Sequence, residues 1–239
     1  MEVLVKKREA LSYYLESLLR GRLKDKIAAV YLFGSMAQGR AVQESDVDLL
    51  IFGAGELEQI ADLCAELQLE TYCRYSESVE ALVYPLEAMR TPSYFLYRVI
   101  HRGEEVYRMD EGELKRQEAR NLLNLAEEYL EGAREILAAK RFRIVCDTAY
   151  NAVELCIKGL LLLEMDELPK THGGIIGEFG RHYVQSGKVA KELGRRLNRG
   201  LELRNKARYD FNIRVSREEA EGMLGLAEEM AQLLETRLG

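Results

Sequence analysis

The sequence predicts an α+β domain, a small mixed sheet with helices packed on it, followed by an all-α helical bundle. Three observations carry this. Up to about residue 110, short β-rich apolar runs alternate with segments of helical period. Beyond it the texture is amphipathic helix throughout. Glycines and prolines fall between those segments and mark their ends.

Residues 3–20 have helical periodicity and end at Gly21, a residue suited to the position just past a helix C-terminus. Residues 27–33 are a β-rich apolar run that Gly34-Ser35 breaks. A second strand is expected over 46–52, a helix over 56–67, and a third strand over 79–84, closed by Pro85. Pro92 opens a helix expected through residue 100, and 105–107 read as a short terminal strand. Gly53 and Gly55 read as a loop. Such a mixture builds a small mixed sheet. Helices are then expected over 113–140, 142–165, 175–185, 189–207 and 216–238, punctuated by Pro169, Gly173-Gly174 and Gly187. Ser216 and Glu219 have the spacing of a capping box opening the last of them. The expected domains are 1–110 and 111–239, with the boundary in residues 109–112 and a bundle as the second.

Composition narrows the function classes. Hydrophobic residues are 47% and charged residues 31%, a globular balance. No apolar run approaches the roughly 20 residues of a membrane helix, so no membrane partner is expected. The start lacks the basic-then-apolar order of a signal peptide, which leads to a cytoplasmic expectation. Cys64, Cys146 and Cys156 lie in apolar helical patterns and read as small core residues. His101, His172 and His182 are scattered and make no zinc motif. The net charge of −6 argues against a nonspecific nucleic-acid coat. Even so, the stretch from Lys188 to Arg217 is rich in Lys and Arg, readable as a solvated helix face or as a polyanion site.

The chemistry-bearing segment runs from Phe33-Gly34-Ser35 to Ser45-Asp46-Val47-Asp48. Gly34 lets the chain leave the strand in a tight turn and approach a ligand closely. Ser35 is expected to cap the short helix that follows, whose free N–H groups suit phosphate. Asp46 and Asp48, two apart on a strand, project from one face. Carboxylates so placed repel each other unless a cation sits between them, and Mg²⁺ readily shares its shell with substrate phosphates. A phosphate turn beside a carboxylate pair is the equipment for attack on a nucleoside triphosphate.

This segment resembles the signature of the DNA polymerase β-like nucleotidyltransferases, and more specifically that of the minimal nucleotidyltransferases. Gly34, Ser35, Gly39, Ser45, Asp46, Asp48 and Leu49 stand at the family spacing. The resemblance implies that Gly34 and Ser35, with Ser45, hold the triphosphate, and that Asp46 and Asp48 ligate Mg²⁺. It also implies a third carboxylate on a later strand, as metal ligand or general base. The matching position is Glu80, where Asp is usual.

The segment from Asp147 to Glu154, with Lys158, Pro169-Lys170-Thr171-His172 and Arg204-Asn205, resembles HEPN domains, helical bundles often fused to minimal nucleotidyltransferases. Many HEPN proteins are ribonucleases with an Arg followed at short spacing by His. Here Tyr209-Asp210 stands where His is needed. Imidazole titrates near neutrality and phenol near pH 10, so nuclease chemistry is not expected. Phosphate or RNA binding through Arg204, Asn205, Arg208 and Tyr209 is. Together the resemblances imply a Mg²⁺-dependent enzyme transferring AMP from ATP to a protein or RNA hydroxyl, of toxin–antitoxin or defence type, and a homodimer through the helical domain. Tyr209 is readable as an acceptor or as a buried structural tyrosine. An aminoglycoside-type nucleotidyltransferase and a noncatalytic nucleotide- or RNA-binding protein remain open alternatives.

Overall fold

The computed structural model describes residues 2–89 and 91–239. The chain divides into two compact units, Met1–Gln117 and Glu118–Gly239.

The first unit contains α1 (Glu2–Arg20), β1 (Ile27–Phe33), α2 (Gly34–Ala37), β2 (Val47–Gly53), α3 (Leu57–Tyr75), β3 (Val79–Pro85), α4 (Tyr94–Arg102) and β4 (Glu104–Arg108). Its sheet has the order β3-β2-β1-β4. β1 pairs antiparallel with β2 and β4, while β2 pairs parallel with β3 through the α3 crossover. The expected mixed sheet is present. β1 is apolar along its whole length because both of its faces are covered. Val30, Leu32, Leu49, Ile51 and Val79 pack with Leu11, Tyr14 and Leu18 of α1 and Ile60, Cys64 and Leu67 of α3. On the other face Ala29, Tyr31, Leu50 and Phe52 pack with Leu96 and Val99 of α4.

Three sequence expectations shift here. Asp46 stands one residue ahead of β2 rather than within it. α3 runs eight residues past its expected end at 67, to Tyr75. Its last turns carry Leu69 and Tyr72 in water, so the apolar stripe that announces a helix fades before the helix stops at Ser76, which is in the left-handed region at φ 53. α4 begins at Tyr94 rather than at Pro92, because Ser93 caps it by accepting the Leu96 N–H at 3.4 Å.

The helical half comprises α5 (Glu111–Ala138), α6 (Phe142–Leu162), α7 (His172–Phe179), α8 (Lys191–Tyr209) and α9 (Arg217–Leu238). α7 continues into a π-helical turn, Gly180–Gln185. α6 buries most of its surface as the centre of the bundle and keeps one polar stripe, Arg143, Asp147, Asn151, Glu154 and Lys158, at the helical spacing. Gly159 lets α9 approach it closely, since a Cβ there would lie 2.6 Å from Leu234 Cδ2. The Ser216–Glu219 capping box forms in full. Among the described residues no helix is long and apolar enough to cross a membrane.

Candidate active site

β1 ends at Phe33, which lies opposite Asp48 in the β1–β2 register. The chain then turns sharply at Gly34, whose φ of +70° is the left-handed region that glycine enters freely. The space is as restrictive as the angle. A Cβ on Gly34 would overlap Asp48 Oδ2 and sit 2.9 Å from Asp48 Cγ. The turn and the carboxylate therefore touch. Ser35 lies inside α2 rather than capping it: Phe33 takes the N-cap position, with no side-chain bond. The loop that follows is closed by Gly39 N–H to Met36 O at 3.1 Å and Arg40 N–H to Ser35 O at 2.9 Å. Ser45 folds its own loop, its Oγ accepting the Val42 N–H at 3.0 Å.

Asp48 is the second residue of β2, and its register partner on β3 is Glu80. Alternation puts both on the sheet face that carries Leu50, Phe52 and Tyr84. Asp48 feels the crowding. Burial first, then the charges of Asp46 and Glu80, push its pKa above the ordinary carboxylate value. Asp48 thus feels both of the other carboxylates named from the sequence. Among the described residues, however, no three His, Cys, Asp or Glu side chains close into a ready ligand set. Magnesium does not need one, because it binds through one or two carboxylates and keeps places for water and phosphate. The oxygens of Asp46 and Asp48, repelling each other beside the Gly34 turn, fit that requirement.

Sequence reasoning missed two parts of this site. The first is Lys7 of α1, only 1% exposed. Its ammonium donates to Glu77 Oε2 at 2.5 Å, Ser45 O at 2.6 Å and Gln43 O at 3.2 Å. It thereby anchors the loop that delivers Asp46, which Val47 N–H to Ser78 O at 2.9 Å ties to the start of β3. The second is a cleft of about 570 Å³ lined by Phe33, Gly34, Arg40, Tyr94, Phe95, Arg98 and Arg102. Their partners lie far away in sequence, and no local spacing signals either feature.

Comparison with known proteins places two families along the chain. The family described as "Polymerase beta, Nucleotidyltransferase" matches residues 16–112, and the HEPN domain family matches residues 119–237. A Methanocaldococcus jannaschii protein described as a putative toxin is 34% identical over 113 residues, 47% of this chain and 83% of its own length. The chain belongs to the nucleotidyltransferase–HEPN family. A second protein of that organism, described as a putative protein adenylyltransferase, is 39% identical over 69 residues, 29% of this chain and 61% of its own length.

In the HEPN domain, α8 presents Arg204 and Arg208 one turn apart on the same face. Arg204 is 4% exposed, its Nε 3.2 Å from Asp147 Oδ1 on α6 and its guanidinium 5.8 Å from the Tyr150 ring centre. Arg208 approaches the same oxygen at 3.7 Å. Asn205 accepts from Arg204 Nη1 at 3.2 Å. Asp147 thus already faces the charge that the sequence assigned to phosphate. Tyr209 is 72% exposed, so the buried-tyrosine alternative does not hold. Much of the basic stretch is paired: Arg195 and Arg199 with Glu192, Arg196 with Glu229, and Arg217 with Glu221. For these the solvated-face reading is the right one. Glu154 joins Lys158, at 2.7 Å, to His172 at the start of α7. Burial works to raise the Glu154 pKa, but those two partners outweigh it and hold it below the ordinary value. Cys146 and Cys156 are core residues, their thiols pushed up to about 12 by burial.

Proposed function

We propose that the nucleotidyltransferase domain transfers AMP from ATP to an acceptor hydroxyl in a Mg²⁺-dependent reaction, on a protein or an RNA. The carrying observation is the contact of Gly34 with Asp48, which sets the phosphate-binding turn against the carboxylates. The backbone N–H groups that open α2, with no side-chain cap on them, would donate to the triphosphate. Asp46 and Asp48 would hold the divalent cation, which when bound supplies charge neutralisation to the phosphates and lowers the cost of attack. Glu80, beside Asp48 in register, is the group on this face that can take the acceptor proton. The acceptor oxygen forms its bond to the α-phosphorus as the bond to pyrophosphate breaks, and the proton passes to the Glu80 carboxylate.

Tyr209 is a candidate acceptor because its phenol stands in water at the end of α8. The adenylyltransferase relative supports the AMP assignment, and the toxin relative a toxin–antitoxin or defence setting. Exposed Phe211 offers apolar surface through which two HEPN domains would pair as a homodimer, to be read by sedimentation.

The test is incubation with labelled ATP and Mg²⁺, then mass spectrometry of the protein and of added RNA. The expected result is a mass gain of one AMP that disappears in Asp46→Asn with Asp48→Asn. Transfer that persists in that double variant would sink the assignment. Nucleotide binding without any transfer would favour the noncatalytic alternative, for which the exposed, strand-edge position of Glu80 speaks.

A further inference from the structure

We infer that the cleft between α2 and α4 is a nucleotide subsite, in which Arg40, Arg98 and Arg102 hold phosphate and Tyr94 and Phe95 hold the base of a nucleoside triphosphate. The inference rests on the proposed reading of Gly34 and Asp48 as the reacting centre, and it names where the rest of the substrate lies.

Charge is the first argument. Arg98 and Arg102 stand one turn apart on α4, and Arg40 faces them from the loop after α2. Among the described residues no acid lines the cleft. Among the described residues none of these arginines makes an ion pair, in a chain of net charge −6 whose other arginines commonly do. Three uncompensated guanidiniums around one hollow attract a polyanion.

The second argument is the wall. Tyr94 is 77% exposed at the mouth, and Phe95 meets Phe33 edge-on with ring centres 5.6 Å apart. Phe33 fixes Phe95 from behind, while Tyr94 is left in water with a free face. Aromatic faces beside arginines are the chemistry that takes bases with their phosphates. A volume of about 570 Å³ falls within the range of small-ligand sites.

Continuity chooses the occupant. Gly34 is at once a wall of this cleft and the residue that abuts Asp48. A ligand filling the cleft therefore reaches the carboxylates across a single residue. A nucleoside triphosphate has that reach and carries both chemistries, ring and polyanion.

The experiment measures binding of the full-length protein in EDTA by calorimetry, which removes any metal-dependent contribution at Asp46 and Asp48. The probes are ATP, tripolyphosphate and a short oligoadenylate RNA. ATP should bind without metal. Arg98→Ala with Arg102→Ala should weaken both ATP and tripolyphosphate by tenfold or more. Tyr94→Ala should weaken ATP about tenfold, in line with the loss of one base stack, and leave tripolyphosphate unchanged. All three side chains are exposed, and an unchanged unfolding midpoint confirms that the variants fold. No ATP binding in EDTA up to millimolar concentration overturns the inference, as does an ATP affinity unmoved by either variant. If Tyr94→Ala weakens the oligonucleotide and spares ATP, the cleft holds an RNA acceptor and the assignment is likewise overturned. Asp46→Asn with Asp48→Asn should leave metal-free ATP binding intact. Failure of the catalytic reading would thus appear as absent transfer with this binding retained, and failure of the subsite as the reverse.

Discussion

A lysine ammonium withdrawn from water must place each of its three hydrogens on an oxygen, and Lys7 does so on Glu77, Ser45 and Gln43. The pair with Glu77 is buried, and a buried pair is costly to break from one side because the other charge stays behind. Lys7→Met should destabilise the first unit by roughly 3–5 kcal/mol, and Lys7→Met with Glu77→Leu should recover most of that loss. Urea unfolding of the three variants measures it. Equal losses in the single and double variants would mean that the loop contacts, rather than the ion pair, set the cost. Asp48 shows the opposite balance. Its folded pKa is raised, so its contribution to stability is complete only below its unfolded value and is lost as pH rises through the folded one. At neutral pH the Asp48 carboxylate therefore opposes folding. Asp46→Asn with Asp48→Asn should raise the unfolding midpoint at pH 7, and the gain should vanish in acid, where the wild-type Asp48 is neutral too. Mg²⁺ should raise the wild-type midpoint and leave the variant's unmoved. A variant that melts below wild type at pH 7 would contradict this.

At the scale of elements, the turn from β1 into α2 was legible because its signals are local: a β-rich run, a glycine, and two aspartates at strand spacing. The pairing of Glu80 with Asp48 was not local. It depends on the parallel β2–β3 register, which the α3 crossover sets. The α3 helix itself was underread because its last two turns have no buried stripe beyond Thr71. Lys7 looked like any polar residue of an amphipathic helix, and the cleft residues of α4 like an ordinary exposed face. Gly34 is where a local signal and a long-range contact meet. Gly34→Ala must adopt a left-handed φ and turn the Asp48 carboxylate away from the new methyl. The backbone term is on the order of 1 kcal/mol. Since the clash is with the end of a short side chain, function should suffer more than folding: transfer should fall by at least tenfold while the unfolding midpoint drops only slightly. Activity assay and thermal melting of the same preparation separate the two. A large loss of stability with proportionate activity would show that Gly34 serves the fold alone.

At the scale of the whole chain, two textures, one mixed and one helical, were readable from residue patterns alone, since each unit encloses its own core. One amphipathic helix, α5, runs across the division between Gln117 and Glu118. Leu114, in its first turn, packs on the cluster formed by Ala28, Ala29, Phe52 and Leu96 of the first unit. Ala119, Leu123 and Ala126, farther along, belong to the HEPN core. A helix start carries the same apolar period whichever core it serves, so the sequence shows that the helix exists and not which unit its first turn stabilises. A fragment ending at residue 110 would therefore lose an apolar wedge that a fragment ending at 117 keeps. Removing one partly buried leucine contact is worth about 1–2 kcal/mol by the area it covers. We expect residues 1–117 to unfold at a higher urea concentration than residues 1–110, and Leu114→Ala in the longer fragment to close most of that gap. Coincident unfolding of the two fragments would mean that the start of α5 adds nothing to the nucleotidyltransferase core.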